Sequence, residues 1–144
     1  MEIKIKKLNE KAVMPQMSRE GDAGFDLCAL EGADIAPGQS VFVGTGIAMA
    51  IPEGYFGAVY ARSGISCKRG LAPANKVGVI DSNYRGEIII CLHNHSDKPE
   101  RIEAGDKIAQ MVIQKHETPV LVAVEDLDET NRGAGGFGSS GDRF

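Results

Sequence analysis

The 144 residues include 42% hydrophobic and 25% charged side chains, with a formal net charge of −4. These values describe one soluble globular domain able to bury a core, not a disordered chain. With no basic footprint, no nucleic-acid partner is expected. MEIKIKKLNE lacks a signal-peptide core and no apolar run nears bilayer length, so the expectation is a cytoplasmic protein with no membrane partner.

Short strands are predicted along the chain. Glu2 to Leu8 alternates Ile3 and Ile5 with charged residues, the two-residue period of a half-exposed strand. Residues 21–30, GDAGFDLCAL, set two glycines and two aspartates around Phe25. VFVG, GIAMAI and YFGAVYA follow, separated by Pro37-Gly38, Gly44-Thr45-Gly46 and Pro52-Glu53-Gly54. Ala61-Arg62-Ser63-Gly64 then ends a strand with a guanidinium, a hydroxyl and an exposed amide. That grouping suits phosphate oxygens, and equally an ordinary polar strand end. SGISCKR, after Arg62, reads as a single helical turn.

Residues 72–91, APANKVGVIDSNYRGEIIIC, form the centre of the chain. Two β-branched runs, Val77 to Ile80 and Ile88 to Ile90, flank the turn-forming Asp81 to Gly86, so a β-hairpin is predicted. With the turn centred on Asn83 and Tyr84, position 80 faces 87, Val79 faces Ile88 and Gly78 faces Ile89. Gly78 breaks the side-chain row, as a glycine does where a ligand or another backbone comes close. Asp81 and Tyr84 stand at the rim, where they could also be no more than a turn former and a shield for the strand end.

Arg101-Ile102-Glu103, KIAQMVIQ at 107–114 and VLVAV at 120–124 supply further strands, and Gly105-Asp106 a tight turn. The pattern predicts an all-β protein in one domain, a sandwich or barrel of the jelly-roll kind, with the jelly-roll-like barrel over 1–131 and a flexible glycine-rich arm at 132–144. Cys28, Cys67 and Cys91 are odd in number and without a pairing pattern, so they read as buried reduced thiols. Cys91, His93 and His95 alternate on one face, but a closed metal site needs further ligands, and a structural or solvated face fits better.

The tail, RGAGGFGSSG at 132–141, has five glycines in ten residues and holds no fixed shape without a partner. Its formal G-x-G-x-x-G lacks the strand and helix of a dinucleotide site and is rejected. Two readings stand: a disordered tail, or an arm that closes over a phosphorylated ligand.

AGFDL at 23–27, ARSGI at 61–65, NKVGVIDSNYRGE at 75–87, GDKIAQ at 105–110 and RGAGGFGSSG at 132–141 resemble, in order, the five motifs of the trimeric deoxyuridine triphosphatases (dUTPases). The resemblance runs from near residue 20 to the C-terminus. It implies a jelly roll, a homotrimer with shared active sites, Mg2+, and hydrolysis of dUTP to dUMP and pyrophosphate. Such a reaction keeps uracil out of DNA and supplies dUMP for thymidylate synthesis.

By the same resemblance Asp81 is the general base and Tyr84 packs on the deoxyribose. Asn75, Gly78, Val79, Ile80 and Ile89 surround the nucleoside. Arg62, Ser63 and Gly64 hold the triphosphate, Gln110 lies near the α-phosphate, and Asp26 reaches the magnesium through water. Phe137 stacks on uracil, while Arg132, Gly138, Ser139 and Ser140 bind the terminal phosphates. Lys107 stands where the family usually has Arg, and Ser140 where it usually has Thr. The rival readings are dCTP deaminase, which shares the fold but uses a glutamate and lacks this tail ending, and a catalytically silent nucleotide-binding barrel.

Overall fold

The computed structural model describes residues 1–141. Among these, the strand-forming runs pair into four antiparallel sheets joined by tight turns. Strands β1 (Lys4–Lys7) and β5 (Ile47–Ala50) form one pair, β3 (Ala33–Ile35) and β10 (Glu100–Ile102) another. A four-stranded sheet runs β2 (Phe25–Cys28), β11 (Lys107–Lys115), β6 (Tyr55–Tyr60), β8 (Gly78–Ile80). A three-stranded sheet runs β4 (Ser40–Gly44), β9 (Ile89–Asn94), β7 (Leu71–Pro73).

Alternation of side chains across each strand turns one face of these sheets inward. Leu27, Val59 and Met111 from the four-stranded sheet meet the same buried cluster as Val43, Ile90 and Leu92 from the three-stranded one. Each such burial stabilises by about 2 kcal/mol, against under about 1 kcal/mol for an exposed ion pair. The apolar core therefore dominates the holding of the sheets.

The helical turn predicted at SGISCKR is α1 (Ser63–Arg69). Arg62 precedes it in extended conformation, and Gly70 stops it at φ 68°, donating to the Ile65 and Ser66 carbonyls. That left-handed conformation favours glycine, and a Cβ there would lie 2.9 Å from the Ser96 nitrogen. Lys68 and Arg69 fall in the last turn, where cations complement the helix dipole.

Three expectations are corrected. The central hairpin is not a ladder: Gly78, Val79 and Ile80 pair with Val59, Ala58 and Gly57 of β6, while β9 pairs with β4 and β7. The two arms enter different sheets, because period-two patterning fixes a strand's faces and leaves its partner open. VLVAV at 120–124 is not a strand, and Val120, Leu121, Val122 and Val124 are all exposed. These residues, valine-rich as they are, pair with no strand among the described residues. The cysteines are free, as expected, yet none is fully buried: Cys28 and Cys91 are half-buried and Cys67 is exposed on α1. No helix among the described residues is long and apolar enough to cross a membrane.

Candidate active site

The divergence of β8 and β9 opens a cavity of about 270 Å³ between the sheets. Asn75, Gly78, Val79, Ile80 and Ile89, the residues expected around the nucleoside, line it together with Phe42, Val59, Pro73, Ile90 and Cys91. Gly78 keeps the wall thin, since a Cβ there would lie 3.1 Å from the Cβ of Val59 and 3.6 Å from Asn75 Nδ2. Gly78 and Ile89 thus line one cavity without pairing: Gly78 pairs with Val59 and Ile89 with Gly44.

The loop between β8 and β9 carries Asp81 and Tyr84, which share a smaller depression with Val79, Ile80, Glu87 and Ile89. The Tyr84 N–H donates to the Asp81 carbonyl at 3.1 Å, and the Tyr84 phenol to the Glu87 carbonyl at 2.8 Å. Arg85 folds back, its Nη1 donating to the carbonyls of Ser82 (2.6 Å) and Tyr84 (2.9 Å). The loop is tied internally, and Asp81 stands exposed at its edge.

A larger depression of about 770 Å³ holds Asp26, Arg62, Ser63, Gly64 and Gln110, with Ser18, Arg19, Asp22 and Tyr60. Strand register explains the grouping: Gln110 faces Asp26 on one side and Tyr60 on the other. Gln110 Nε2 donates to the Ala61 carbonyl at 2.9 Å, bracing the strand end that carries Arg62.

Asp26 is the buried carboxylate of this group. Its Oδ1 accepts Arg62 Nε–H at 2.6 Å, and its Oδ2 accepts Lys107 Nζ at 2.7 Å and Ser18 Oγ at 2.7 Å. Burial alone would raise its pKa, but the hydrogen bonds from Lys107 and Ser18 and the charges of Arg62 and Lys107 outweigh it. The carboxyl is held below its ordinary value.

Val59 lines the cavity and Tyr60 the larger depression. They are neighbours on β6, so they point to opposite faces of the sheet. Within one chain the predicted nucleoside and phosphate groups are not brought together. The predicted tail residues also stand apart. Arg132, Phe137, Gly138, Ser139 and Ser140 are exposed, and Arg132 Nε donates to the nearby Gly135 carbonyl. Residues 142–144 of the predicted arm lie outside the described residues.

Sequence reasoning passed over several lining residues. Tyr60 had a signal, being two residues before Arg62 in the same strand phase, and Glu87 lay inside a quoted motif. Phe42, contributed by β4, had none. His93 and His95 pack edge to face with ring centroids 4.4 Å apart, and His93 Nδ1 meets Ser40 Oγ at 2.8 Å. No group of three or more potential metal ligands occurs among the described residues.

The family model described as dUTPase matches residues 10–141. The chain belongs to the dUTPase family. It is 48% identical over 140 residues to a deoxyuridine 5'-triphosphate nucleotidohydrolase of Nocardia farcinica, covering 96% of this chain and 85% of that one. A protein of the same name from Corynebacterium glutamicum is 49% identical over 96% of this chain and 94% of its own. Among solved structures, a mutant dUTPase of Staphylococcus bacteriophage 80alpha with dUpNHpp superposes with a TM-score of 0.91 at 32% identity. That match covers 97% of this chain and 98% of the phage chain. A mutant dUTPase from phage phi11, described as revealing coordination of a structural Mg(II) ion, gives 0.83 at 29% identity, over 90% and 100% of the two chains. As a dUTPase family member the chain is an enzyme, a hydrolase.

Proposed function

We propose that this enzyme hydrolyses dUTP to dUMP and pyrophosphate by in-line attack of water on the α-phosphorus, with Asp81 as general base. The supporting observation is the cavity walled by Gly78, Val79, Ile80 and Ile89, with Asp81 and Tyr84 in the adjoining depression at its edge. Backbone groups of β8 read the uracil edge there, and Tyr84 packs on the deoxyribose where a 2′-hydroxyl would need room. Asp81 takes the proton of the attacking water as its oxygen bonds to the α-phosphorus. The bond from that phosphorus to the bridging oxygen breaks, and pyrophosphate leaves. Removal of dUTP keeps uracil out of DNA, and the dUMP formed feeds thymidylate synthesis.

Arg62, Ser63, Gly64 and Gln110 hold the phosphates. The donor set fits Mg2+ bound mainly by substrate phosphates and water, because Asp26 already carries two cations and no protein cage is present among the described residues. Asp26 would hold the ion through water. Magnesium bound there would neutralise phosphate charge as the bridging oxygen departs.

The active unit we propose is a homotrimer with shared sites, built from jelly-roll barrels of residues 1–131. The opposite facing of Val59 and Tyr60 supports sharing, since a nucleotide in one chain's cavity needs the phosphate-binding residues of another chain. The arm at 132–144 closes over the nucleotide, with Phe137 on uracil and Arg132, Gly138, Ser139 and Ser140 on the terminal phosphates. The proposed setting is the cytoplasm, with neither nucleic acid nor membrane as partner.

The test is incubation with Mg2+ and either dUTP or, in a parallel reaction, dCTP, under assay for pyrophosphate and ammonia. Stoichiometric dUMP and pyrophosphate are expected. Ammonia released from dCTP would favour a deaminase, and binding without turnover a silent nucleotide-binding barrel; either result overturns the proposal.

A further inference from the structure

Glu87 ties the Asp81–Gly86 loop to a second turn. Its Oε1 accepts the Gly46 N–H at 2.8 Å, 41 residues away in sequence. Its own carbonyl accepts the Tyr84 phenol at 2.8 Å. Next to it, the Ile88 carbonyl accepts Thr45 Oγ1 at 2.6 Å, and the Ile88 N–H donates to the Ile47 carbonyl at 2.9 Å. Ile88 is therefore fixed by backbone, while residue 87 adds a side-chain tie at the point where the loop departs.

Two glycines make room for this arrangement. A Cβ on Gly44 would lie 3.3 Å from Glu87 Cδ and closer still to its Oε1, so the bare backbone at 44 leaves the carboxylate its place. A Cβ on Gly86 would lie 2.6 Å from Tyr84 Cζ, so the ring lies over a position that carries no side chain. Tyr84 is 42% exposed, too open for packing alone to fix its ring. Its hydrogen bond to a clamped carbonyl is what sets its orientation.

We propose that Glu87 is a positioning residue for sugar selectivity: its carboxylate, anchored on Gly46, holds the carbonyl that aims the Tyr84 ring at the sugar. The inference rests on the reading of Tyr84 given above and adds the residue that makes it selective. A ring free to swing admits a 2′-hydroxyl, whereas a ring held in place excludes it. Glu87 does not touch the reacting atoms.

The test compares kcat/KM for dUTP and UTP. Glu87→Ala should lower the dUTP preference about five- to tenfold, the worth of one lost hydrogen bond. Glu87→Gln, which keeps an oxygen acceptor for Gly46, should retain most of that preference. In a Tyr84→Ala background, Glu87→Ala should not change the ratio further, because the two act in series. Gly44→Ala displaces the carboxylate without removing it and should reproduce the effect, so it carries the test if Glu87→Ala does not fold. A selective wild type whose ratio is unchanged in the folded variant overturns the inference, even if kcat falls equally for both sugars. A wild type that hydrolyses both nucleotides equally overturns the Tyr84 reading itself.

Discussion

Arg62 is bound to Asp26 through its Nε, at 2.6 Å, and not through its terminal amino groups. The carboxylate in turn meets Lys107 at 2.7 Å on its other oxygen. One buried anion thus sets the direction of a guanidinium that lines the larger depression. Stability should report this directly. Asp26 has its pKa depressed below 3.8 in the fold, so its ionised form stabilises the native state. That contribution is whole above pH 3.8 and is lost as pH falls through the lower folded value. Asp26→Asn should therefore lower Tm at neutral pH in metal-free buffer, with the gap from wild type closing in acid. A gap that stayed constant down the acid limb would contradict the assignment.

Asp81 is exposed at the edge of its loop and makes its loop contact through its backbone carbonyl. Asp81→Asn should leave the loop intact and dUTP binding near normal. Turnover should fall about a hundredfold or more, as for a positioned general base. Calorimetry and single-turnover assay measure the two quantities, and near-normal kcat would remove Asp81 from the mechanism.

Gly78→Ala should act on binding. The added methyl enters between Val59 and Asn75, at 3.1 Å from the Val59 Cβ, tighter than ordinary contact. Overpacking of this kind costs roughly 1–3 kcal/mol, so KM for dUTP should rise about tenfold or more while kcat changes less. An unchanged KM would show that the cavity does not receive the base.

Much of what lines the cavity and the two depressions was legible because turn chemistry and motif order are local properties. Asp81 and Tyr84, Arg62 to Gly64, and the helix after Arg62 all follow from residues within a few positions of one another. The hairpin register failed because Val79 and Ile80 carry the same alternation whether they pair with β9 or, as found, with β6. Glu87 was passed over because its partner, Gly46, is 41 residues away. Phe42 reaches the cavity only through the pairing of β4 with β9, a nonlocal fact that leaves no trace in local composition.

Sharing of sites can be tested by complementation. Two inactive chains are needed: Asp81→Asn with its tail, and a chain cut after Asn131 with Asp81 intact. Refolded together, hybrids should regain pyrophosphate release if arm and base come from different chains. Native mass measurement identifies the hybrids. Confirmed hybrids without activity would place arm and base in one chain.

The exposed run VLVAV at 120–124 has a consequence for the newly made chain. Five apolar residues, three of them valines of high β propensity, with no proline inside, form a segment of the kind that pairs with free strand edges. Pro119 precedes it, and Glu125, Asp126, Asp128 and Glu129 follow closely. Such residues act as gatekeepers, because like charges keep identical runs on separate chains apart. Until this segment is covered, the acidic collar guards the chain against aggregation.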